Sequence, residues 1–229
     1  MEDTNTSRLL ISAPQKSAGK TTVSLGILHN LHQAGVKIQS FKKGPDYIDP
    51  MWLKLASGRE CYNLDPYLLG AEGCLESFGR NGTKSDMALI EGNHGLHDGM
   101  SLDGFDSSAG LANMLQSPVL LVINSRGMGR GAAAVVTGMQ KMQPEPNIVG
   151  VVLNQVRSAR QQEKQKSAIE RFCRVPVVGS LPIDEAVIIP ERHLGLTTVD
   201  EMESARGIIS RAGELVAQHC DMDAIKSMF

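Results

Sequence analysis

Two lysines, two threonines and several small residues lie close together near the amino end of the chain. They form the segment Ala13-Pro14-Gln15-Lys16-Ser17-Ala18-Gly19-Lys20-Thr21-Thr22, which follows the apolar run Leu9–Ile11. Backbone N–H groups in a turn of small residues hold phosphates, a lysine reaches the outer phosphates, and a hydroxyl binds Mg²⁺. The spacing therefore predicts a nucleotide-binding loop between a strand and a helix, formed by Lys16, Ser17, Ala18, Gly19, Lys20, Thr21 and Thr22.

This segment departs from the strict form of such a loop. The usual pattern, Gly-x-x-x-x-Gly-Lys-Thr, has glycine at position 14, where this chain has Pro14. An ordinary turn with a lysine at the start of the next helix is therefore the alternative interpretation. The preceding strand pattern and the carboxylates further along the chain favour the nucleotide site, because independent signals agree.

Carboxylates follow the next two strand patterns. Asp46 and Asp49 lie in a loop framed by glycine and prolines, and Glu91 closes the run Met87–Ile90. Mg²⁺ bound to a nucleotide takes one or two carboxylates besides phosphate and water. Asp46 and Glu91, together with the Thr21 hydroxyl, are the predicted metal ligands. Turn formation is the alternative for the two aspartates.

Cations also follow the predicted strands. Lys42 and Lys43 end one apolar run, and one of them can stabilise negative charge on a transferred phosphoryl group. Arg126 and Arg130 come after the run Val119–Asn124 and suit carboxylate or phosphate recognition. A solvated strand end is the alternative for the lysines, and ordinary surface charge is the alternative for the arginines.

Glycines and polar residues alternate from Glu91 to Gly99. A metal site formed by His94, His97 and Asp98 is one interpretation, but three ligands in one flexible loop lack the support of a helix or strand. The favoured interpretation is that Asp98 orients a nucleophile or the substrate.

Composition excludes several classes of protein. The chain has 229 residues, 41% of them hydrophobic, which is enough to bury the core of one domain. Its net charge is −2, so no basic surface indicates nucleic acid or an anionic membrane as a partner. The four scattered cysteines are typical of reduced thiols, and no signal sequence or membrane span is evident. We therefore expect a cytoplasmic protein.

Short apolar runs alternate with longer amphipathic segments, which predicts an α/β fold with a mainly parallel sheet flanked by helices. Residues 45–81 carry many turn residues, and we expect only short helical patches in this crossover. The ligand site is expected beyond the carboxyl ends of the strands. The predicted strands are Leu9–Ala13, Lys37–Phe41, Met87–Glu91, Val119–Asn124, Ile148–Leu153 and Val177–Ser180, and the predicted helices are Lys20–Ala34, Asp106–Leu115, Gly129–Lys141, Gln161–Arg171 and Asp200–His219.

These segments resemble the amino-terminal, ATP-dependent amidoligase domain of the cobyrinic acid a,c-diamide synthase family, a relative of dethiobiotin synthetase with a P-loop NTPase fold. The resemblance runs from about Leu9 to about Leu196. It is carried by Ala13-Pro14, Gly19-Lys20-Thr21-Thr22, Phe41-Lys42, Gly44-Pro45-Asp46-Tyr47-Ile48-Asp49-Pro50, Asn63-Leu64-Asp65-Pro66, Glu91-Gly92, Gly95-Leu96, Asp98-Gly99, Val152-Leu153-Asn154, Leu181-Pro182, Asp184-Glu185 and Pro190-Glu191-Arg192-His193-Leu194-Gly195-Leu196.

The resemblance implies that ATP phosphorylates a carboxylate and that ammonia then converts the acyl phosphate to an amide. The implied substrates are the a and c side chains of a tetrapyrrole, such as cobyrinic or hydrogenobyrinic acid or a sirohaem-type macrocycle. The resemblance also implies roles for single residues. Lys20 and Thr21 would hold ATP and Mg²⁺, Asp46 and Glu91 would complete the metal shell, and Asn154 would read adenine. Lys42 would stabilise the acyl phosphate, Asp49 and Asp98 would serve ammonia delivery or substrate placement, and the tetrapyrrole pocket would be lined by Tyr47, Asn63 and Asp65.

Two departures from the family pattern bear on function. The family loop usually reads Ser-Gly where this chain has Lys16-Ser17, and a serine loses backbone freedom if that position needs a positive φ. Asn93, His94 and His97 replace residues that are more often apolar or aromatic, which favours a sirohaem-type macrocycle.

The resemblance also sets expectations about partners. We expect a single ATP-binding amidoligase domain over residues 1–229, without the carboxyl-terminal glutaminase domain of the family, so that ammonia comes from a glutaminase domain or subunit. A homodimer is expected by analogy. Three alternatives stay open: a dethiobiotin synthetase-type ligase, a tetrapyrrole-binding module with impaired catalysis, and a partitioning-type ATPase, whose signature lysine would stand where this chain has Gln15.

Overall fold

A computed structural model describes residues 6–192, 195–199 and 204–229. Within these ranges seven parallel strands form one sheet, in the order β3-β2-β4-β1-β5-β6-β7. This confirms the predicted α/β class. The strands are β1 (Ser7–Ser12), β2 (Ile38–Lys43), β3 (Tyr62–Leu64), β4 (Met87–Glu91), β5 (Val119–Asn124), β6 (Ile148–Val156) and β7 (Val177–Pro182).

The helices cover both faces of the sheet. They are α1 (Lys20–Gln33), α2 (Asp49–Ser57), α3 (Pro66–Gly82), α4 (Ser108–Met114), α5 (Ala132–Lys141), α6 (Ala159–Cys173), α7 (Ala205–His219) and α8 (Met222–Lys226). A short antiparallel pair, β8 (Glu191–Arg192) and β9 (Gly195–Leu196), follows β7. His193 and Leu194, part of the family-like string, lie outside the described residues, as does the predicted helix start at Asp200.

Side-chain alternation along the strands builds two cores. Leu9 and Ile11 of β1 are buried in the core that holds α1, α2 and α7, whereas Leu10 is buried in the core that holds α3 to α6. Strands buried on both faces need continuous apolar runs, which is why β1, β5 and β6 show little alternation in sequence. Burying each such leucine or isoleucine contributes about 1.5–3 kcal/mol.

The expectation of only short helical patches in residues 45–81 is wrong. The segment contains the nine-residue helix α2, the strand β3 and the 17-residue helix α3. Asp65 caps α3 by accepting a hydrogen bond from Tyr67 N, and Pro66 occupies its first turn. Gly70, with φ 67°, breaks the helical geometry inside α3, and this glycine obscured the helix in the sequence pattern.

Helix α1 is held in place by α7. A Cβ atom on Gly26 would lie 2.3 Å from Val216 Cγ2 and 2.6 Å from Ala212 O, so the two helices cross at a distance that only glycine permits. Asn30 Nδ2 of α1 also donates a hydrogen bond to Gly213 O at 2.9 Å. These contacts fix the helix whose amino end faces the candidate site.

The carboxyl ends of the parallel strands meet at one edge of the sheet. The loops after β1, β2, β4, β5, β6 and β7 leave from this edge, as expected from the sequence. No helix among the described residues has both the length and the apolar character needed to span a bilayer.

Candidate active site

The loop between β1 and α1 is shaped to receive an anion. Gly19 has φ 101°, and a Cβ atom there would lie 2.0 Å from Asn154 Nδ2, so glycine is required. No side chain caps α1, which leaves the N–H groups of its first turn available to a phosphate. Ser17 has φ 55°, a conformation that costs a non-glycine residue about 1 kcal/mol. The position where the family usually has glycine therefore does use a positive φ.

Lys20 lies at the start of α1 and turns back onto backbone carbonyls. Its Nζ donates to His94 O at 2.6 Å and to Gln15 O at 3.5 Å. Burial lowers the pKa of Lys20 to about 8, although the charge of Glu91 opposes this shift. Its two hydrogen-bond partners are neutral carbonyls, so an anion would stabilise this ammonium further.

Lys42, in contrast, is already paired with anions. Its Nζ donates to Glu91 Oε1 at 2.8 Å, to Asp49 Oδ2, and to Gly92 O at 3.2 Å, which uses all three of its protons. Its side chain is 2% exposed. Burial alone would lower the pKa of Lys42, but the two carboxylates outweigh burial and raise it. We call Lys42, Asp49 and Glu91 the charged triad.

Glu91 joins the triad to the phosphate loop. Thr21 Oγ1 donates to Glu91 Oε1 at 3.2 Å. Burial would raise the pKa of Glu91, but the charge and hydrogen bond of Lys42 lower it, so the buried carboxylate is ionised at neutral pH. Its other oxygen, Oε2, is also buried, and the hydroxyl of Ser24 is close enough to help lower the pKa of this carboxylate. A buried, ionised carboxylate beside a threonine hydroxyl fits a divalent cation.

The two aspartates of the Gly-Pro-framed loop differ in environment. Asp46 Oδ1 accepts hydrogen bonds from Ile48 N and Asp49 N, both at 3.0 Å, so this oxygen shapes the turn, and the role of Asp46 toward a metal stays a prediction. Asp49 begins α2, and its side chain is 15% exposed. Burial raises the pKa of Asp49 to about 6, Glu91 adds to the shift, and Lys42 opposes it.

Three further predicted site residues make hydrogen bonds to backbone groups, and a fourth lies exposed. Asp98 Oδ2 accepts from Gly95 N at 2.8 Å, and the buried Asp65 is the cap of α3. Asn63 Nδ2 donates to Asp46 O at 2.6 Å, which ties β3 to the loop before α2. Tyr47, in that same loop, is 78% exposed. These contacts explain their positions, and their roles toward a substrate stay predictions.

The alternative of a metal site at His94, His97 and Asp98 finds no support. Within the described part of the chain no three histidine, cysteine or acidic side chains group in a way that would hold a metal ion. His97 Nε2 instead contacts Met139 O at 2.9 Å, and the carbonyl of His94 accepts from Lys20. This finding concerns protein-only sites and does not bear on a cation held jointly with phosphate.

A cavity of about 610 Å³ brings most of the predicted residues together. Glu91 lies behind it, in contact with Lys42 and Thr21, whereas Tyr47, Asn63, Asp65 and Asp98 do not line it. The predicted residues that line it are Lys16, Ser17, Gly19, Lys20, Thr21, Thr22, Lys42, Asp46, Asp49 and Asn154. A volume in this range suits a nucleotide.

Asn154, expected to read adenine, braces the phosphate loop. Its Nδ2 donates to Ala18 O at 2.9 Å, and the residue is 7% exposed. Sequence reasoning did not select Gln155 or the apolar residues after β7, which also line the cavity. Arg126, for which the sequence predicted no role more specific than carboxylate or phosphate recognition, lines it too. The sequence feature that could have identified these lining residues is their position directly after predicted strands.

These features define a P-loop nucleotide-binding protein. They are the parallel sheet, the glycine-dependent loop with Lys20 and Thr21, and the Glu91 carboxylate at the end of the neighbouring strand β4. The family model described as the CobQ/CobB/MinD/ParA nucleotide binding domain matches residues 10–196. The chain therefore belongs to this family.

Within this family, the chain is similar to proteins named as a,c-diamide synthases. The chain is 43% identical over 221 residues to the cobyrinate a,c-diamide synthase of Magnetococcus marinus, covering 96% of this chain and 47% of that protein. It is 40% identical to the enzyme of the same name from Listeria monocytogenes, covering 95% of this chain and 49% of that protein. It is 39% identical to the hydrogenobyrinate a,c-diamide synthase of Brucella anthropi, covering 96% of this chain and 50% of that protein. The chain thus spans about half the length of these relatives.

Solved structures support the fold alone. A ParA family ATPase from Chlorobium tepidum superposes with a TM-score of 0.55 at 11% identity, covering 93% of this chain and 92% of that one. Chloroplast FtsY from Physcomitrella patens superposes with a TM-score of 0.56 at 16% identity, covering 91% of this chain and 65% of that one.

Proposed function

We propose that this chain amidates the a and c carboxylates of a tetrapyrrole in an ATP- and Mg²⁺-dependent reaction. The observation that carries the proposal is the buried charged triad, which touches the phosphate-loop threonine through Glu91. A P-loop protein that only switches conformation does not need a second, carboxylate-rich half to its cavity. The names of relatives at 39–43% identity supply the substrate class.

The proposed reaction has two steps. A substrate carboxylate oxygen attacks the γ-phosphorus of ATP, ADP leaves, and an acyl phosphate forms. Ammonia then attacks the carbonyl carbon, the C–O bond to the phosphate breaks, and the proton that the nitrogen loses passes through a base of the site to the departing phosphate, which leaves as HPO4²⁻. The site must therefore hold two anions close together and then accept a proton.

Nucleotide binding is assigned to the phosphate loop. Lys16, Ser17, Ala18, Gly19, Lys20, Thr21 and Thr22 would hold the phosphates, and Asn154 would keep the loop in place through Ala18 O. Thr21, Asp46 and Glu91 would hold Mg²⁺, which lowers the charge repulsion between the phosphates and the attacking carboxylate. The contact between Thr21 Oγ1 and the buried Glu91 carboxylate supports this set of ligands.

The triad would act on the carboxylate half of the reaction. Lys42 would stabilise the acyl phosphate while fixing Asp49 and Glu91 in position. Asp49, whose pKa is raised to about 6, is suited to accept the proton from attacking ammonia. Asp98 would serve substrate placement or ammonia delivery, and Tyr47, Asn63 and Asp65 would contact the tetrapyrrole beside Asp46.

Ammonia is proposed to come from a glutaminase domain or subunit. The chain covers only 47–50% of three named relatives, which leaves room in those proteins for a further domain. A homodimer and a cytoplasmic location belong to the same proposal.

The test is amide formation by the purified chain. It would be given ATP, Mg²⁺ and ammonium with cobyrinic acid, hydrogenobyrinic acid, sirohydrochlorin or sirohaem, and products would be measured by mass spectrometry. We expect one macrocycle to gain amides, with loss of product in Glu91→Gln. The matched control is Glu60→Gln, which changes a 61% exposed ion-pair side chain.

Two results would contradict the proposal. One is ATP hydrolysis with no amide on any macrocycle while ammonium is saturating. The other is an amide yield in Glu91→Gln equal to that in Glu60→Gln.

A further inference from the structure

The net charge of −2 conceals an uneven distribution of charge along the chain. Residues 126–174 contain nine lysines and arginines but three acidic residues, although the whole chain has more acidic than basic residues. Five of these cations are exposed and lie close to the carboxyl edge of the sheet, in the loop after β5, directly after β6 and on the first two turns of α6. They are Arg126, Arg130, Arg157, Arg160 and Lys164, which we call the basic rim.

Contacts between α6 and the loop after β5 make the basic rim one continuous surface. Arg157 N donates to Gln161 Oε1 at 3.1 Å, and Gln161 Nε2 donates to Ser125 O at 2.6 Å. Lys164 packs on Gly129, since a Cβ atom built on this glycine would lie 3.8 Å from Lys164 Cε. The amino half of α6 therefore lies directly against the loop after β5.

Arg126 connects the basic rim to the cavity. It lines the cavity, and α6 holds the backbone on both sides of it. Gln161 Nε2 binds Ser125 O, and the buried Gln165 donates to Met128 O at 2.9 Å. A loop that is already held in place costs little further entropy on binding, so Arg126 is preorganised for a ligand at the cavity mouth.

The cations of the basic rim have no counter-ions in the protein. None of the five side chains forms an ion pair with any residue that the structure describes, and Arg130 instead stacks on Phe172, with its guanidinium carbon 5.1 Å from the ring centroid. Other exposed cations do pair locally, as Lys54 does with Glu60. Grouped cations without partners create a positive potential, which attracts anionic ligands to the adjacent cavity.

Size separates the two anionic substrates of the proposed reaction. The cavity of about 610 Å³ suits a nucleotide, whose phosphates already have the phosphate loop and Lys20 as partners. A tetrapyrrole has to present one carboxylate to the γ-phosphate, so the rest of the macrocycle must lie outside the cavity. The other carboxylates are distributed around its ring, and arginine binds a carboxylate through two parallel N–H···O bonds.

We propose that the basic rim binds those carboxylates of the tetrapyrrole that the reaction leaves unchanged, an inference that rests on the proposed function. Arg126, at the cavity mouth, binds the carboxylate nearest to the reacting one, and the other cations of the rim attract and orient the rest of the macrocycle. These contacts determine which macrocycle binds and how it lies. The substrate is therefore a macrocycle with several free carboxylates.

The experiment measures binding and turnover with the full chain. Cobyrinic acid, hydrogenobyrinic acid and sirohydrochlorin would be titrated through the absorption bands of the macrocycles, and KM would be measured separately for macrocycle and for ATP. The test variant is Arg126→Gln/Arg160→Gln. The matched control, Lys37→Gln/Lys84→Gln, makes the same change of charge at two exposed lysines that precede β2 and β4, at the opposite edge of the sheet.

We expect the wild type and the control to bind a macrocycle with an affinity that falls as salt rises from about 0.05 M to about 0.5 M, because salt screens exposed charges. The test variant should bind it about tenfold more weakly, the scale of two exposed ion pairs, and with a smaller salt dependence. Its KM for ATP should be unchanged. Arg126→Lys keeps the charge and should retain most of the affinity, and the methyl ester of cobyrinic acid, which has no carboxylates, should bind all variants alike.

Equal macrocycle affinities in the test and control variants would overturn the inference while leaving the proposed function intact. A KM for ATP that rises as much as the KM for the macrocycle would also overturn it, because the rim would then serve the nucleotide. Tighter binding of a DNA duplex than of every macrocycle would do the same.

Two further results separate the inference from the proposed function. A wild type that binds no macrocycle would overturn both. Macrocycle binding that weakens in the test variant, without amide formation by the wild type, would count against the proposed function alone.

Discussion

Two buried lysines, 22 positions apart, lie in opposite electrostatic surroundings. Lys20 donates only to the carbonyls of His94 and Gln15, whereas Lys42 donates to the carboxylates of Asp49 and Glu91. Burial lowers the pKa of Lys20 to about 8, and the carboxylates raise the pKa of Lys42 above its ordinary value.

The comparison separates two tasks that a lysine can have in one cavity. Lys20 has no counter-charge in contact, so it is prepared to receive an anion from a ligand. Lys42 is paired with carboxylates of the protein itself, so besides its proposed contact with the acyl phosphate it holds these carboxylates in place and contributes to folding.

Replacing Lys42 with methionine should strongly destabilise the fold. The change leaves the fully buried Glu91 carboxylate without its counter-charge, which typically costs about 3–5 kcal/mol. Urea unfolding would measure the loss. Lys54→Met is the control, since its ion pair with Glu60 is exposed and worth at most about 1 kcal/mol. Equal losses in the two variants would refute the triad's proposed role in folding.

Replacing Lys20 with alanine should leave folding nearly unchanged but abolish tight ATP binding. Two or three charge-assisted contacts to phosphate disappear, and we expect affinity to fall by about 100-fold, or roughly 2.7 kcal/mol. Calorimetric titration with ATP and Mg²⁺ would measure it. A fall in the free energy of unfolding as large as that of Lys42→Met would remove the distinction between the two lysines.

ATP affinity should decrease as pH rises through about 8. In the free protein the Lys20 pKa is lowered to about 8, and bound phosphate stabilises the ammonium, so binding above this pH requires proton uptake. Titrations at pH 8.5 in buffers of different ionisation enthalpy would detect the uptake. Lys20→Arg stays charged and should show none. Buffer-independent heats in the wild type would contradict this account.

Replacing Ser17 with glycine should have the smallest effect, a modest gain in ATP affinity of up to about fivefold. The present φ of 55° is strained for serine, and glycine removes that strain from the loop. Ser17→Ala retains the strain and serves as the comparison. A gain in the alanine variant equal to that in the glycine variant would point to the hydroxyl instead of the backbone.

Sequence patterns predicted the central strands of the sheet well but predicted the crossover of residues 45–81 poorly. In the predicted strand Val119–Asn124 every residue before Asn124 is apolar, because both faces of a central strand are buried, and the prediction matches β5 at both ends. The helix α3 was missed, because Gly70 interrupts it and several apolar residues on it, including Leu68, are exposed. Tertiary contacts of Cys74 and Phe78, not local periodicity, hold it on the sheet.

The site was predicted as far as residue types and strand ends allow. Spacing alone placed Lys20, Thr21 and Glu91 near one another, since parallel strands share an edge. It could not show that Lys42 is fully paired or that Asn154 bonds to the loop, because these contacts join residues 49 and 136 positions apart. Nor could it show that a positive φ turns Gln155 toward the cavity.

The crossing of α1 and α7 at Gly26 has a consequence for where this protein can be divided. The family model ends at residue 196, before α7 begins at Ala205. A polypeptide cut at that boundary would lose Ala212 and Val216 from the face of α1 and leave buried leucines of the phosphate-loop helix in water. The smallest autonomous unit therefore includes α7, and any fusion or transplanted version of the domain should carry it.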